Sequence, residues 1–174
     1  MRREQYAENR EKINEQKRAA YAARTMDRKM LRKRGDPLLD VLGPASQSHP
    51  AEIERIKKRA ESLGVEIIGQ EGNMAYAPGL KSGQHGQLHV SRTDSYGARI
   101  HEEQHMNDDM QDGWPGFEGL FDIDRRCTME YNAYRKEVEL AKSLGREDIA
   151  DELRGLCRGE IERIGGAWDE SKLQ

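Results

Sequence analysis

From residue 50 onward, large apolar side chains recur every three or four residues in some stretches and every two in others. In AEIERIKKRAESLG, Ile53, Ile56, Ala60 and Leu63 keep helical spacing, and Gly64 stops the run. VEIIG follows as a short strand. NMAYAPG and GQLHVSR are two further strand candidates, separated by the glycine-rich LKSGQHG. Thr93, Asp94 and Ser95 offer N-caps for a helix through YGARIHEEQHM. DDMQDGWPGFEG reads as a loop, broken by Gly113, Pro115 and Gly116. Two helices close the pattern. Cys127, Tyr131, Tyr134, Val138 and Ala141 form the stripe of the first, and Ile149, Leu153, Leu156, Ile161 and Ile164 that of the second. A helix, three strands and three more helices predict an α+β domain with helices packed on one sheet.

The first 35 residues follow a different pattern. They are rich in helix formers and contain no proline or internal glycine, but their large apolar residues are sparse: Tyr6, Ile13, Tyr21, Met26, Met30 and Leu31. Such a segment makes a solvated helix that cannot fold alone. It holds twelve Lys/Arg against five Asp/Glu, a net of +7 in a chain of net -3, so the remainder carries -10. It reads as a basic helical arm that links or docks. Nucleic-acid binding is its alternative use, and the acidic remainder speaks against a DNA-binding regulator. GDPLLDVLGPASQSHP, with three of the five prolines, looks like a linker. The expected organisation is an arm over 1–35, a linker over 36–48, a folded domain over 49–168 and a tail over 169–174.

Composition narrows the class. At 174 residues, 35% hydrophobic and 35% charged, the chain has room for one domain with a modest core plus an appendage. No apolar run approaches the roughly 20 residues of a membrane span, and no signal-peptide pattern opens the sequence. Cys127 and Cys157, thirty residues apart, form neither a disulfide framework nor a metal knuckle and read as buried small residues. A reducing, cytoplasmic setting is expected.

Two of the five histidines carry the candidate chemistry. His101, Glu102 and His105 spell H-E-x-x-H inside the fifth segment, YGARIHEEQHM. On a helix this spacing puts both imidazoles on one face, where they can share a zinc ion while the glutamate reaches a water beside it. Glu103, Gln104, Asn107 and Asp108 leave this helix almost no apolar stripe, so ordinary core burial does not account for the pair. A third ligand is required. Asp108 and Gln111 stand where a longer motif would have glycine and histidine, so a downstream acid must serve. Asp108 and Asp109 are expected to turn away from the pair, and Asp122 and Asp124 fall in a loop. Glu130, one turn from Cys127 and Tyr134 beside the apolar stripe, is the candidate, with Glu137 as the fallback. His85 and His89, four apart on a strand, are about 13 Å distant and cannot share one metal. His49, beside Pro50, reads as a surface residue.

HEEQH followed on the next helix by EYNAY resembles the zincin metallopeptidases, in the branch whose third ligand is a glutamate. Compact bacterial and phage-associated members pair H-E-x-x-H with a later E-x-x-A, here Glu130 to Ala133. The resemblance spans roughly residues 50 to 165. It implies a zincin-like α+β fold with a small mixed sheet, Zn2+ held by His101, His105 and Glu130, and Glu102 as the general base. Tyr134, Tyr131, Tyr96 and His89 are the candidates for oxyanion or substrate contacts. GQLHVSR would be the strand bordering the cleft, where an extended peptide adds by backbone hydrogen bonds. The implied activity is hydrolysis of a protein or peptide substrate, as a toxin or processing domain of a phage or mobile element. A phage structural protein or an inhibitor would be the partner, and the location would be cytoplasmic or virion-associated. The chain departs from the better-known soluble peptidases of this branch in lacking N-E-x-x-S-D, which leaves the residues behind His101 and His105 unassigned. The competing reading is a non-catalytic structural or interaction module of a phage particle with a basic docking arm.

Overall fold

The computed structural model describes residues 35–70 and 74–173. The basic arm expected over 1–35 lies outside the described residues but for Gly35. From Asp36 onward the chain forms one compact unit, mostly helical with a small three-stranded sheet. No helix among the described residues is long and apolar enough to cross a membrane.

The stretch expected as a linker is folded. It carries two short helices, α1 (Leu39–Leu42) and α2 (Ala45–Ser48), ahead of α3 (Pro50–Ser62). Its prolines open helices instead of spacing a linker: Pro44 caps α2, and Pro50 occupies the first turn of α3, where its missing N–H costs nothing. Leu38 is fully buried against Val138, Ala141 and Leu153. The Asp36 carboxylate accepts the Ser95 N–H at 3.0 Å and the Ser95 hydroxyl at 2.5 Å. The expected tail is docked as well. Its 3-10 helix (Glu170–Leu173) buries Leu173, and Arg135 donates to the Lys172 carbonyl at 2.7 Å.

β1 (Glu66–Gly69), β2 (Ala75–Ala77) and β3 (Gln87–Val90) make the sheet in the order β1-β3-β2. β1 pairs parallel to β3, and β2 pairs antiparallel to it. GQLHVSR therefore supplies the central strand, flanked on both sides, and β2 is an edge. Leu88 on β3 is fully buried with Ile56 and Ala60 of α3, Val65, Met74 and Met106. Burying these side chains contributes about 1.5–3 kcal/mol for each large one, and it seats Met106's helix against the sheet.

That helix, α4 (Tyr96–Gln111), starts at Ser95, whose hydroxyl accepts the Ala98 N–H at 3.1 Å. A 3-10 turn (Phe117–Phe121) leads to α5 (Ile123–Ser143), capped by Asp122, and then to α6 (Glu147–Ile164), ended by Gly165 in the left-handed region. Cys127 and Tyr131 of α5 meet Cys157, Ile161 and Ile164 of α6 and Leu173 in a third apolar cluster. α5 lies between α4 and α6, so a side chain on its α4-facing side meets the motif helix directly.

Candidate metal centre

α4 is buried by polar pairing, where an ordinary helix would use an apolar stripe. The Glu103 carboxylate, 10% exposed, takes a two-pronged contact from Arg55 of α3 at 2.7 and 2.8 Å. Arg99 is buried against Asp94 and the Ser91 carbonyl. Asp108 accepts from Gln104 at 2.7 Å and from Asn132 of α5 at 3.2 Å. Asp109 accepts the Tyr76 hydroxyl at 2.7 Å and Arg125 at 2.8 Å. Each buried polar group here needs such a partner, and the set fixes the rotation of α4 about its axis. His101 and His105 are thereby aimed at α5 across a cavity of about 350 Å³.

Glu130 reaches that cavity from α5. One of its carboxylate oxygens lies 3.7 Å from His101 Nε2 and the other 3.7 Å from His105 Nε2, and the two Nε2 atoms are 3.1 Å apart. Two donors on a tetrahedral zinc stand about 3.3 Å apart, so these spacings fit one ion with little adjustment. Among the described residues, these three make up the His/Cys/Asp/Glu group able to hold a metal. The chemistry of the set agrees: two imidazoles and one carboxylate are a zinc complement that leaves a coordination position open.

The side chain behind His101 is Glu137. Its Oε2 lies 2.8 Å from His101 Nδ1, and its side chain is 4% exposed. A carboxylate there keeps Nδ1 protonated and turns Nε2 toward the cavity. Glu137 thus stands behind His101 and outside the group formed by His101, His105 and Glu130. His105 has no equivalent, and its buried Nδ1 has no hydrogen-bond partner among the described residues. Burial pushes the His101 imidazole down, but Glu137, with Glu102 and Glu130 beyond, more than reverses this and holds it at about 9. Burial, the His101 charge and Arg125 push His105 well below the usual range.

Glu102 lines the same cavity, and its Oε2 accepts the Tyr76 backbone N–H of β2 at 2.7 Å. Burial raises its carboxyl to about 7, against the pull of the His101 charge and the Tyr76 N–H. One oxygen is anchored to the sheet edge, and Oε1 has no hydrogen bond among the described residues. No family model, curated protein or solved structure matches this chain. What the centre can do must come from its own chemistry.

Of the four other candidates, the structure brings Tyr134 alone to the cavity. It meets His101 edge-on at 4.8 Å between ring centres, and burial pushes its phenol up, so the hydroxyl stays a donor. Tyr131 is buried in the third apolar cluster, where its hydroxyl accepts the Asp169 N–H at 2.7 Å. Tyr96 stacks on His49 at 4.3 Å, on the α3 side of α4. His89 sits on the central strand with its ring nitrogen 3.2 Å from Gln70, and the strand bordering the cavity is β2, through Ala75 and Tyr76. His85 packs on Trp114. Asp109 was expected to face away, yet it lies four residues after His105 and continues the same stripe into the cavity. Its spacing was the available signal. Tyr76, Arg125 and Arg126, also at the cavity, carry no sequence signal of their own.

Proposed function

We propose that this chain is a zinc-dependent endopeptidase, with His101, His105 and Glu130 as the metal ligands. The observation that carries the reading is geometric: His101, His105 and Glu130 converge in one cavity, and Glu102, buried on the same wall, has one oxygen anchored by the Tyr76 N–H. Zinc, when bound, supplies Lewis-acid polarisation of a carbonyl and lowers the pKa of water to about 7. The Tyr76 N–H holds Glu102 Oε2, so Oε1 is the atom that takes a proton from water and returns it to the leaving amine nitrogen. Glu137 keeps a proton on His101 Nδ1 and points Nε2 at the cavity, where a metal takes the place of the Nε2 proton. Tyr134, edge-on to His101 at the cavity wall, is the donor assigned to charge developing on the carbonyl oxygen. A role as a phage or mobile-element toxin or processing domain rests on the motif resemblance alone.

A second reading is a non-catalytic interaction module. The exposed side chains Leu80 (78%), Phe117 (50%) and Phe121 (73%) favour it, because such groups mark contact surfaces. One experiment separates the two. Zinc-loaded wild type and Glu102→Gln are incubated with a proteome-derived peptide library, and new termini are identified by mass spectrometry. The peptidase reading expects new termini from wild type and none from a Glu102→Gln variant that retains zinc. Identical termini from both, or none from zinc-loaded wild type, would overturn it.

A further inference from the structure

The charged side chains of this cavity are almost all neutralised by one another. Arg125 is held by Asp109 at 2.8 Å and by Asp112 at 2.7 Å. Arg163 is paired with Glu160. Glu102 has its Tyr76 N–H, and Glu130 faces the two histidines. Arg126 also lines the cavity, half-buried, and its guanidinium has no hydrogen bond or ion pair among the described residues. It stands one helical turn before Glu130 on the same side of α5. Its charge acts on the Glu130 carboxyl, though the two form no ion pair.

A guanidinium left unpaired at a cavity wall is a poor element of stability. It is a good receptor for a planar anion, because its fork of donors matches a carboxylate. Glu130 cannot satisfy it while that carboxylate serves the metal, Glu102 is anchored by the Tyr76 N–H, and Asp109 and Glu160 are committed to Arg125 and Arg163. From this we infer that Arg126 determines specificity by receiving a carboxylate of the substrate next to the scissile bond, so that the preferred substrates are acidic there. The inference rests on the peptidase reading. It adds a subsite that neither the motif nor the ligand geometry requires.

The test reads binding, so it does not depend on turnover. Hydroxamates chelate zinc and hold whatever is attached to them beside it. Two series are titrated calorimetrically into zinc-loaded protein. In the first, the carboxyl of N-acetylated glutamate, glutamine or lysine is converted to the hydroxamate. In the second, a malonyl hydroxamate is joined to the amine of each residue as its C-terminal amide, with glutamine also made as the free acid. Together they reach either side of the metal. The expected result is about tenfold tighter binding of a carboxylate-bearing probe than of its glutamine amide counterpart in one series. The preference disappears in Arg126→Gln and turns toward lysine in Arg126→Glu. Selection of the glutamate probe identifies an acidic side chain as the carboxylate, and selection of the glutamine free acid identifies a chain terminus. Equal binding across both series, or a preference that survives both Arg126 variants, overturns the inference and leaves the metal centre standing. No binding of any probe to protein offered zinc overturns both.

Discussion

Replacing Glu137 by glutamine is the sharpest way to probe how the centre is supported. The amide oxygen can still accept the His101 Nδ1–H across the 2.8 Å contact, so the local packing is kept and the charge is lost. Removing the charged partner of a metal-binding histidine costs 10- to 100-fold in metal affinity, about 1.4–2.8 kcal/mol. The burial of Glu137 places this variant toward the larger loss. Proton competition adds a second signature. With the imidazole held at about 9 in the metal-free protein, a metal must displace a proton below that pH. Zinc affinity of the wild type should rise about tenfold per pH unit between neutrality and 9, then level off. In Glu137→Gln the levelling-off moves down toward the usual histidine range, and the plateau itself is weaker. The same shift bears on folding without metal. A histidine raised from 6.5 to about 9 contributes up to about 3 kcal/mol of stability. That contribution is complete below pH 6.5 and is lost as pH climbs through 9. Chelator-competition titrations of zinc across pH, on both proteins, measure the plateau and the slope together. Equal plateaus with the same pH dependence would refute the role given to Glu137.

Three further outcomes follow from named contacts. Glu102→Gln should stabilise the metal-free protein by about 1–3 kcal/mol near pH 8 in urea denaturation. The wild-type carboxyl, raised from 4.5 to about 7, is protonated at low pH and loses that advantage as pH rises through 7, so the gain should vanish below about pH 4.5. Arg55→Ala strands the buried Glu103 carboxylate. It should cost about 1–2 kcal/mol, less than for a fully buried pair because Arg55 is half in water, with zinc stoichiometry unchanged. Gly97→Ala drives a methyl group into Leu38, and by overpacking it should cost about 1–3 kcal/mol in thermal or chemical denaturation. No loss there would mean that residues 36–48 do not pack on α4.

Local periodicity made most of the elements legible. The stripes of α3, α5 and α6 and the three short strands stand where apolar spacing put them, and Ser95 caps α4 as its position suggested. What sequence did not carry was anything decided at a distance. α4 runs on through Asp108, Asp109 and Met110 to Gln111, where the acidic run reads as a loop, because Asn132, Tyr76 and Arg125 satisfy those carboxylates from other elements. Negative charge at a helix C-terminus is unfavourable in isolation, so only tertiary partners explain the extension. Strand order is another such case: β3 became central through a parallel pairing with β1 that no local pattern encodes. The prolines at 44 and 50 misled by composition, since proline punctuates a helix start as readily as a linker. In the candidate site, the pairing of Glu130 with the two histidines was legible because an inward acid beside an apolar stripe needs a partner. Glu137 shares that stripe, and only the packing of α5 on α4 shows that it faces Nδ1 and not the cavity.

The central claim is that His101, His105 and Glu130 together hold one zinc ion. The direct measurement is zinc per chain by inductively coupled plasma mass spectrometry, on wild type and on His105→Ala, both dialysed after exposure to zinc and shown by circular dichroism to be folded. The account predicts about one zinc per wild-type chain and close to none in the variant. Folded wild type that retains no zinc, or a His105→Ala variant that retains as much, would contradict it.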